Sequence, residues 1–387
     1  MSVRKLKQAV MMLFSSVLVM TSSHAWATEI SSLNLRQGVT EVSQNAYSLH
    51  MIVLWICVAI GVVVFGAMIY SMFAHRKSKG AVAASFHESH KVEVLWTVIP
   101  FIILIALAIP ATKNLLFLED ASNSDMTVKV TGYQWKWSYE YMDGEAEGVK
   151  FFSALDKASN DARAMNSGID VSKVDNYLLD VDNALVIPTG KKVRFLITSN
   201  DVIHSWWVPD FGFKKDAIPG YINEAWTHVD QPGTYRGQCT ELCGKDHGFM
   251  PVVVIAKEEG EYKKWAAAKK SEADAAAAAA SSDKTWSKAE LMAKGANVYG
   301  SSCAACHQAN GEGTGPFPAL KGSPLATADS AAGHIDIVVN GSKTNPLMAA
   351  YGAQLNDLDL AAVITYERNS WGNEASIVQP KDVKAAR

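Results

Sequence analysis

The sequence predicts a multidomain membrane protein with a two-helix transmembrane hairpin, an all-β sandwich or barrel, and an all-α domain. Three observations indicate this architecture. Residues 47–73 and 94–118 are almost wholly apolar, and each run is long enough as a helix to cross a hydrocarbon core of about 30 Å. From residue 126 apolar and polar residues alternate in short segments separated by glycine and proline. A helical pattern begins near residue 286, after an alanine-rich stretch.

The composition narrows the class of protein further. A chain of 387 residues has room for two or three domains, and its hydrophobic content of 49% exceeds that of a typical soluble domain. The net charge of −3 gives no indication of nucleic-acid binding. Four of the five cysteines form two close pairs and Cys57 lies in an apolar run, which is too sparse for a disulfide scaffold.

The first 27 residues have the pattern of a secretory signal. A basic start is followed by an apolar stretch of about a dozen residues and by the small-x-small sequence Ala25-Trp26-Ala27. The alternative is a retained first membrane helix, but the stretch is short for a span. The sequence therefore predicts cleavage after Ala27.

Residues 28–121 are predicted to hold an N-terminal segment and the helical hairpin. The loop between its spans is basic, with Arg76, Lys77, Lys79 and Lys91. The positive-inside rule places this loop in the cytoplasm. Everything after about residue 119 is then expected on the periplasmic side of a bacterial inner membrane. Glu93, just before the second span, is either a solvated helix end or a proton-uptake group.

Residues 122–258 are predicted to form the β domain, an antiparallel sandwich or barrel with turn signals between short strands. The eight predicted strands are 126–132, 134–141, 185–188, 192–198, 203–208, 225–229, 233–238 and 251–256. Residues 153–182 lack the pattern and are predicted to be an inserted loop without an assigned role. Residues 259–285 are predicted to be a partly helical linker. The helical domain then spans 286–373, with helices at 288–299 and 358–370, before a tail at 374–387.

Four soft ligands fall within twelve residues near the end of the β domain. They are Cys239, Cys243, His247 and Met250, and His204 is the candidate for a second imidazole. Thiolate, imidazole and thioether together favour copper, and the second cysteine allows two metal ions to be bridged. A disulfide or a zinc site with two cysteines and two histidines remain alternatives, although neither uses the methionine.

This ligand pattern resembles that of subunit II of haem–copper cytochrome c oxidases. The resemblance covers residues 30–258 and implies a cupredoxin-like barrel with a dinuclear copper A centre. In such a centre Cys239 and Cys243 would bridge two coppers, and Met250 would be a weak axial ligand. The resemblance further implies His204 and His247 as terminal ligands and Glu241 as a ligand through its backbone carbonyl. The Glu241 side chain would reach a Mg²⁺ shared with subunit I.

Two other segments carry the same resemblance. Residues 92–100 look like the start of the family's second membrane helix, which makes Glu93 the acid at the entrance of a proton pathway. Residues 132–141 match the family's aromatic segment, in which Trp135 would receive electrons from the donor. Aromatic residues in a strand are otherwise usually core or sheet surface.

Cys303-Ala304-Ala305-Cys306-His307 has the form of a haem c attachment motif, with the histidine as an iron ligand. The alternative is a redox dithiol beside a histidine. Met348 is the candidate sixth ligand, which would raise the potential of the haem. Met292 is the competitor, but it precedes the motif on a predicted helix. Residues 286–373 resemble a class I cytochrome c, which suggests Pro318, or else Pro316, as the carbonyl partner of the iron-ligand histidine.

The whole chain resembles subunit II of a caa3-type cytochrome c oxidase. The resemblance implies electron transfer from cytochrome c or another donor to haem c, then copper A, then haem in subunit I, where O₂ is reduced to water with proton pumping. Oxidase subunit I, other oxidase subunits and the membrane are the implied partners. A quinol oxidase subunit should lack the copper ligands. A nitrous oxide reductase domain should lack the hairpin, and a copper carrier has no use for haem c.

Overall fold

A computed structural model describes residues 34–164, 167–281, 284–345 and 347–387. The signal predicted at residues 1–27 lies outside these residues. The chain divides into two units. One contains the apolar helices together with Pro209–Phe213, and the other contains Asn123–Val208 and Lys214–Arg387.

The first unit contains two long helices, α1 (Glu41–Ala74) and α2 (His90–Glu119). The Thr40 side chain caps α1 by accepting a hydrogen bond from the backbone N–H of Ser43. The most apolar windows of the two helices have mean hydropathies of 2.9 and 2.6, and their apolar side chains are exposed. At 1.5 Å per residue the helices are about 50 and 45 Å long, longer than a hydrocarbon core. The prediction of two membrane-spanning helices is confirmed, and both extend beyond the predicted spans.

The second unit begins with ten strands in two five-stranded sheets. The strands are β1 (Met126–Tyr133), β2 (Lys136–Tyr141), β3 (Lys150–Ser153), β4 (Leu185–Pro188), β5 (Lys192–Ser199), β6 (His204–Val208), β7 (Phe213–Ala217), β8 (Asn223–His228), β9 (Gly233–Cys239) and β10 (Pro251–Lys257). The strand orders are β3-β2-β1-β5-β8 and β4-β10-β9-β6-β7. The predicted all-β fold is confirmed.

The core of the β domain lies between the two sheets. Strands β1 and β5 alternate buried and half-buried residues, as expected for strands with one face on a core. Trp206 of the second sheet is fully buried, and its ring centroid lies 5.0 Å from that of Phe195 in the first sheet. The Trp206 Nε1 also donates to the Tyr139 hydroxyl at 3.3 Å. These aromatic contacts join the sheets beneath the ends of β6 and β9.

The structure differs from the predicted strand pattern in three places. Strands β3 and β7 were not predicted, and both lie at sheet edges. The pairs β1–β5 and β4–β10 are parallel, whereas an antiparallel sandwich or barrel was expected. The predicted loop 153–182 contains a short helix, α3 (Lys157–Ala162), whose side-chain cap is Asp156. Strand β3 has only four residues and the middle of β7 is charged, so neither shows the apolar alternation by which a strand is predicted.

The alanine-rich segment forms one continuous helix, α4 (Glu259–Ser281). Tyr262 and Ala266 on its first turns are buried, and the Trp265 ring lies 5.4 Å from that of Tyr141 on β2. This part of the predicted linker is therefore packed on the β domain.

Six helices form the rest of the second unit. They are α5 (Lys288–Ser302), α6 (Ala304–His307), α7 (Pro324–Thr327), α8 (Ala332–Asn340), α9 (Asp357–Arg368) and α10 (Pro380–Lys384). Helices α5 and α9 cross where Gly295 leaves no room for a side chain, since an added Cβ would lie 2.1 Å from the Ala362 carbonyl oxygen. Leu360, Val363 and Ile364 of α9 are fully buried. The predicted all-α domain is confirmed.

Candidate metal centre and haem cavity

The five soft ligands predicted from sequence converge at one end of the second sheet. His204 is the first residue of β6, and Cys239 is the last residue of β9, which pairs with β6. The loop from β9 to β10 carries Cys243 and His247, and Met250 directly precedes β10. Residues remote in sequence meet because β6, β9 and β10 are neighbouring strands.

The donor atoms lie at distances suited to metal ions placed between them. The two sulfur atoms Cys239 Sγ and Cys243 Sγ are 3.8 Å apart, and both thiols are free. His204 Nδ1 lies 3.9 Å from Cys239 Sγ, and His247 Nδ1 lies 3.4 Å from Cys243 Sγ. Met250 Sδ lies 3.5 Å from Cys243 Sγ. The separation of the sulfurs is far from the roughly 2.05 Å of a disulfide, so the free thiols are available to bridge a metal pair.

A hydrogen bond between the two thiols shifts their pKa values in opposite directions. The hydrogen bond from Cys243 lowers the pKa of Cys239. The same hydrogen bond, together with burial, raises the pKa of Cys243. A bound metal would displace the remaining thiol protons, since metal ions bind cysteine as thiolate.

Asp201 orients the first imidazole. Its Oδ1 lies 2.9 Å from His204 Nε2, and its Oδ2 accepts a hydrogen bond from the backbone N–H of Gln134 at 2.8 Å. Burial lowers the pKa of His204, but the hydrogen bonds to Asp201 and Cys239 outweigh it, so that the pKa is raised. With Nε2 held by the carboxylate, Nδ1 faces the sulfur atoms, an arrangement typical of a metal-binding histidine.

Two further residues confine the His204 ring. Trp137 is fully buried, and its ring lies edge-on to the imidazole with centroids 5.9 Å apart. Gly132 lies so close that an added Cβ would be 2.7 Å from His204 Cδ2. The position of the ring is thus fixed from several sides.

The insert also reaches the ligand loop. Arg163, just after α3, places Nη2 3.2 Å from Oδ2 of Asp246, a nearly buried residue next to His247. The same guanidinium lies 4.3 Å from the centroid of the Phe249 ring, beside Met250. The insert, to which the sequence assigned no role, therefore braces the loop that carries three of the donors.

Trp135 and Glu241 both lie beside the cysteines. Trp135 Nε1 donates to the carbonyl oxygen of Cys243 at 3.1 Å, and Gln134 Nε2 donates to the same oxygen at 2.9 Å. The carbonyl oxygen of Glu241 lies 3.4 Å from Cys239 Sγ, while the Glu241 residue itself is exposed. The carbonyl is close enough to join the donor set, and the carboxylate remains available to another ligand.

The haem attachment motif lines a partly open cavity of the helical domain. Cys303, Cys306, His307 and Met348 all line it, whereas Met292 is absent from the described lining. His307 Nδ1 lies 2.9 Å from the carbonyl oxygen of Pro318, which confirms the partner suggested by the sequence. Nε2 of the imidazole is then left to bind iron.

Burial favours the protonated form of both thiols of the motif. It raises the pKa of Cys306 to about 11, and it raises the pKa of Cys303 as well. Redox-active Cys-x-x-Cys pairs typically have a thiol with a lowered pKa. The two thiols, the imidazole and the thioether that line the cavity fit a covalently bound haem.

Glu93 lies away from both of these sites in the sequence and belongs to the first unit. It occupies the first turn of α2, where Thr97 Oγ1 donates to its backbone carbonyl oxygen. Its Oε2 lies 3.4 Å from His90 Nδ1, and its side chain is 44% exposed. Its contacts within this unit are those of a helix end, and its proton-uptake role stays a prediction.

Comparison with known proteins places this geometry in a family. The family model described as cytochrome c oxidase subunit II, periplasmic domain, matches residues 126–257, and the corresponding transmembrane domain matches residues 28–113. The probable cytochrome c oxidase subunit 2 of Rickettsia bellii (strain RML369-C) is 37% identical over 254 residues, which are 65% of this chain and 90% of the relative. The chain belongs to the cytochrome c oxidase subunit II family.

Further subunit II proteins are similar to parts of this chain. Cytochrome c oxidase subunit 2 of Branchiostoma floridae is 37% identical over 235 residues, covering 61% of this chain and 95% of the relative. The crystal structure of the periplasmic domain of cytochrome oxidase subunit II from Bradyrhizobium japonicum has 38% sequence identity and a TM-score of 0.34, covering 39% of this chain and 98% of that chain.

The helical domain has a match of its own. A family model described as cytochrome c oxidase, cbb3-type, subunit III, matches residues 290–366. All four residues predicted to hold haem lie within that range, and all predicted copper ligands lie within the subunit II periplasmic match.

Sequence reasoning missed Gly132, Asp201 and Arg163, because nothing in their local sequence signals contact with the ligands.

Proposed function

We propose that this subunit II is the electron-transfer subunit of a caa3-type haem–copper terminal oxidase. The observation that carries the proposal is the convergence of two thiols, two imidazoles and a thioether within a buried pocket whose adjacent donor atoms lie 3.4–3.9 Å apart. The donors are soft, which suits copper. A zinc site would leave Met250 without a function.

The chain's residues hold the copper pair and exclude water from it. Cys239 and Cys243 would hold both coppers, and both residues are at most 5% exposed. His204, His247, Met250 and the carbonyl of Glu241 would complete the ligand set. When bound, the copper pair would supply a one-electron relay. The sheet ends, Asp201 and the insert hold the ligands in place, so little rearrangement accompanies a change of charge.

The helical domain is proposed to hold the haem that supplies these electrons. Cys303 and Cys306 would attach it through thioethers and His307 and Met348 would bind its iron, while the Pro318 carbonyl holds the histidine ring. A methionine ligand gives the high potential suited to accepting electrons from cytochrome c or another external donor. Electrons then pass to copper A and on to haem in subunit I.

The remaining assignments follow from the same proposal. Subunit I and other oxidase subunits are partners in a bacterial inner membrane, with the copper and haem domains on the periplasmic side. O₂ is reduced to water in subunit I, coupled to proton pumping. The exposed Glu241 carboxylate binds a Mg²⁺ shared with subunit I, Glu93 stands at a proton-pathway entrance, and Trp135 passes electrons to copper A.

The test exchanges one bridging thiol in the purified oxidase complex. Cys239→Ser should abolish the near-infrared copper band and turnover with external cytochrome c, because serine does not bridge copper as thiolate does. Cys57→Ser is the matched control, since Cys57 lies on an apolar face of α1. Two coppers per chain are expected in the parent and the control. Full activity of Cys239→Ser without the copper band would refute the electron-relay role.

A further inference from the structure

The β domain and the helical domain of the second unit meet at the haem attachment motif. Two lysines of the β domain, Lys136 and Lys245, donate hydrogen bonds to Ser302 and Ala305. Ser302 directly precedes the first cysteine of the motif, and Ala305 directly precedes the second. No feature of the copper or haem ligand sets accounts for this contact.

Lys136 makes the more buried of the two contacts. Its Nζ lies 3.0 Å from Ser302 Oγ, and the residue is only 4% exposed. Aromatic rings surround the ammonium group, with the Phe152 centroid at 4.3 Å and the Tyr351 centroid at 5.5 Å. Tyr351 also donates its hydroxyl to the Ser302 carbonyl at 2.9 Å. A lysine is seldom buried without a partner, and here a hydroxyl and two ring faces supply one.

Lys245 makes the more exposed contact, from the copper-ligand loop. Its Nζ donates to the Ala305 carbonyl at 3.2 Å and lies 5.6 Å from the centroid of the Phe317 ring. Lys245 stands two residues after Cys243, and Phe317 stands next to Pro318. The side chain therefore joins the loop of one proposed redox centre to the segments that hold the other.

Both contacts lead back to the same bridging cysteine. Trp135, the neighbour of Lys136, donates its Nε1 to the Cys243 carbonyl at 3.1 Å. Through Lys136 this carbonyl is connected to Ser302 and the first thioether cysteine. Through Lys245 the chain that follows Cys243 is connected to Ala305 and the second. Electronic coupling falls steeply with each added bond or gap, so two short hydrogen-bonded routes between the centres favour transfer.

We propose that Lys136 and Lys245 hold the cytochrome domain docked against the copper domain, so that the donor facing Trp135 is the cytochrome domain of the same chain. This inference rests on the proposed function. An external donor reduces the haem, and the docked haem reduces copper A. In this step one electron leaves ferrous haem iron and reduces the oxidised copper pair, without a bond or a proton changing place.

A small contact is sufficient because the two domains are tethered. Helix α4 packs on the β domain through Tyr262, Trp265 and Ala266, and it leads into the cytochrome domain. Docking is therefore intramolecular and takes place at a high effective concentration. Two hydrogen bonds can then favour the docked state and still allow it to open.

The burial of Lys136 gives a direct readout of docking. In the purified complex an amine-acylating reagent, followed by mass spectrometry, should modify Lys136 at least about tenfold more slowly than Lys150, whose side chain is 52% exposed on β3. Lys245→Glu replaces a donor with a carboxylate facing the Ala305 carbonyl, so it should open the contact and expose Lys136 to the reagent. Lys150→Glu is the matched charge reversal and should leave Lys136 protected. Rapid modification of Lys136 in the parent complex would overturn the docking.

The kinetic test follows one electron between the centres. After flash reduction of haem c, Lys245→Glu and Lys136→Glu should each slow reduction of copper A about tenfold or more, the loss expected when docking is weakened by about 1.4 kcal/mol. Lys150→Glu should transfer at the parent rate. An unchanged rate in both interface variants would show that these contacts do not hold the transferring state.

Absorbance separates this inference from the function on which it rests. If the chain carries no copper A or haem c, the near-infrared band or the c-type haem bands are missing from the parent complex itself. If only the docking is wrong, the absorbance bands of both centres are present in every variant. Lys136 of the parent complex is then acylated rapidly, or the two interface variants transfer electrons at the parent rate.

Discussion

His334 and Glu367 form an ion-pair-like contact inside the haem cavity, and breaking it should destabilise the cytochrome domain strongly. His334 Nε2 lies 2.8 Å from Glu367 Oε2, and the side chains are 3% and 4% exposed. Both line the cavity. His334→Leu leaves a buried carboxylate without its partner, which costs about 3–5 kcal/mol. Replacing both residues with leucine removes the polar groups together and should cost far less.

The assay is guanidinium unfolding of the full, detergent-solubilised chain, followed by the absorbance of ligated haem c. With a denaturant slope of about 3 kcal/mol per molar for a small domain, a loss of about 3–5 kcal/mol lowers the midpoint by about 1–1.7 M. His228→Leu is the control, because it breaks an exposed histidine–carboxylate contact with Asp230 in the β domain. That variant should leave the haem midpoint unchanged.

Double replacement provides the decisive comparison. If the loss arises from an unpaired buried charge, the variant carrying both His334→Leu and Glu367→Leu regains most of the stability lost by His334→Leu alone. The coupling between the two sites is then large, as expected for residues in direct contact. The reasoning is refuted if the double variant is as unstable as the single one, or if His334→Leu has the parent midpoint.

Four further outcomes follow from the structure. Burial lowers the pKa of Lys136 from 10.5 to about 8. Between pH 8 and pH 10.5 the undocked state therefore binds more protons than the docked state, and docking tightens as the pH rises. The rate of electron transfer from haem to copper should rise with pH over this range, and Lys136→Met should remove the pH dependence. Gly132→Ala pushes against the first copper-ligand imidazole and should shift the near-infrared band, whereas Gly260→Ala, where a Cβ meets open space, should not. Arg163→Ala removes the brace on the ligand loop and should speed copper loss to a chelator about tenfold. Met348→His should retain haem but lower its potential, as a redox titration would show.

The ligand sets could be predicted from sequence because their chemistry is written in short motifs. Four copper ligands and three haem residues occur within two runs of a dozen residues or fewer. Their residue types limit the possible metals before any fold is known. His204 was predicted from a greater distance, since a second imidazole was needed and a strand end offered one.

The missed strands show where local pattern fails. Strand β3 has four residues, and the middle of β7 is Lys214-Lys215-Asp216, a charged run that resembles a loop. Both are edge strands. Edge strands are commonly short and charged, which prevents pairing with other chains. The property that protects them in the fold thus removes the apolar alternation by which a strand is predicted.

Residues that position the ligands were beyond prediction for a different reason. Asp201 acts through contacts with His204 and with the backbone of Gln134, which is 67 residues away in sequence. Such contacts depend on the register between β1 and β5, because Gly132 and Ser199 are partners there and Asp201 lies two residues after Ser199. Sequence alone does not specify that register when the strands pair in parallel across a long connection.

The segment that joins β1 to β2 contacts both proposed redox centres. Trp135 is directed at the Cys243 carbonyl, whereas the next residue, Lys136, is directed at the segment that attaches the haem. Trp135 lies in the turn itself and Lys136 is the first residue of β2, so one short segment contacts both centres at once. The pairing of β1 with β2, which aligns Tyr133 with Lys136, therefore fixes the position of both side chains and with it the proposed route between the centres.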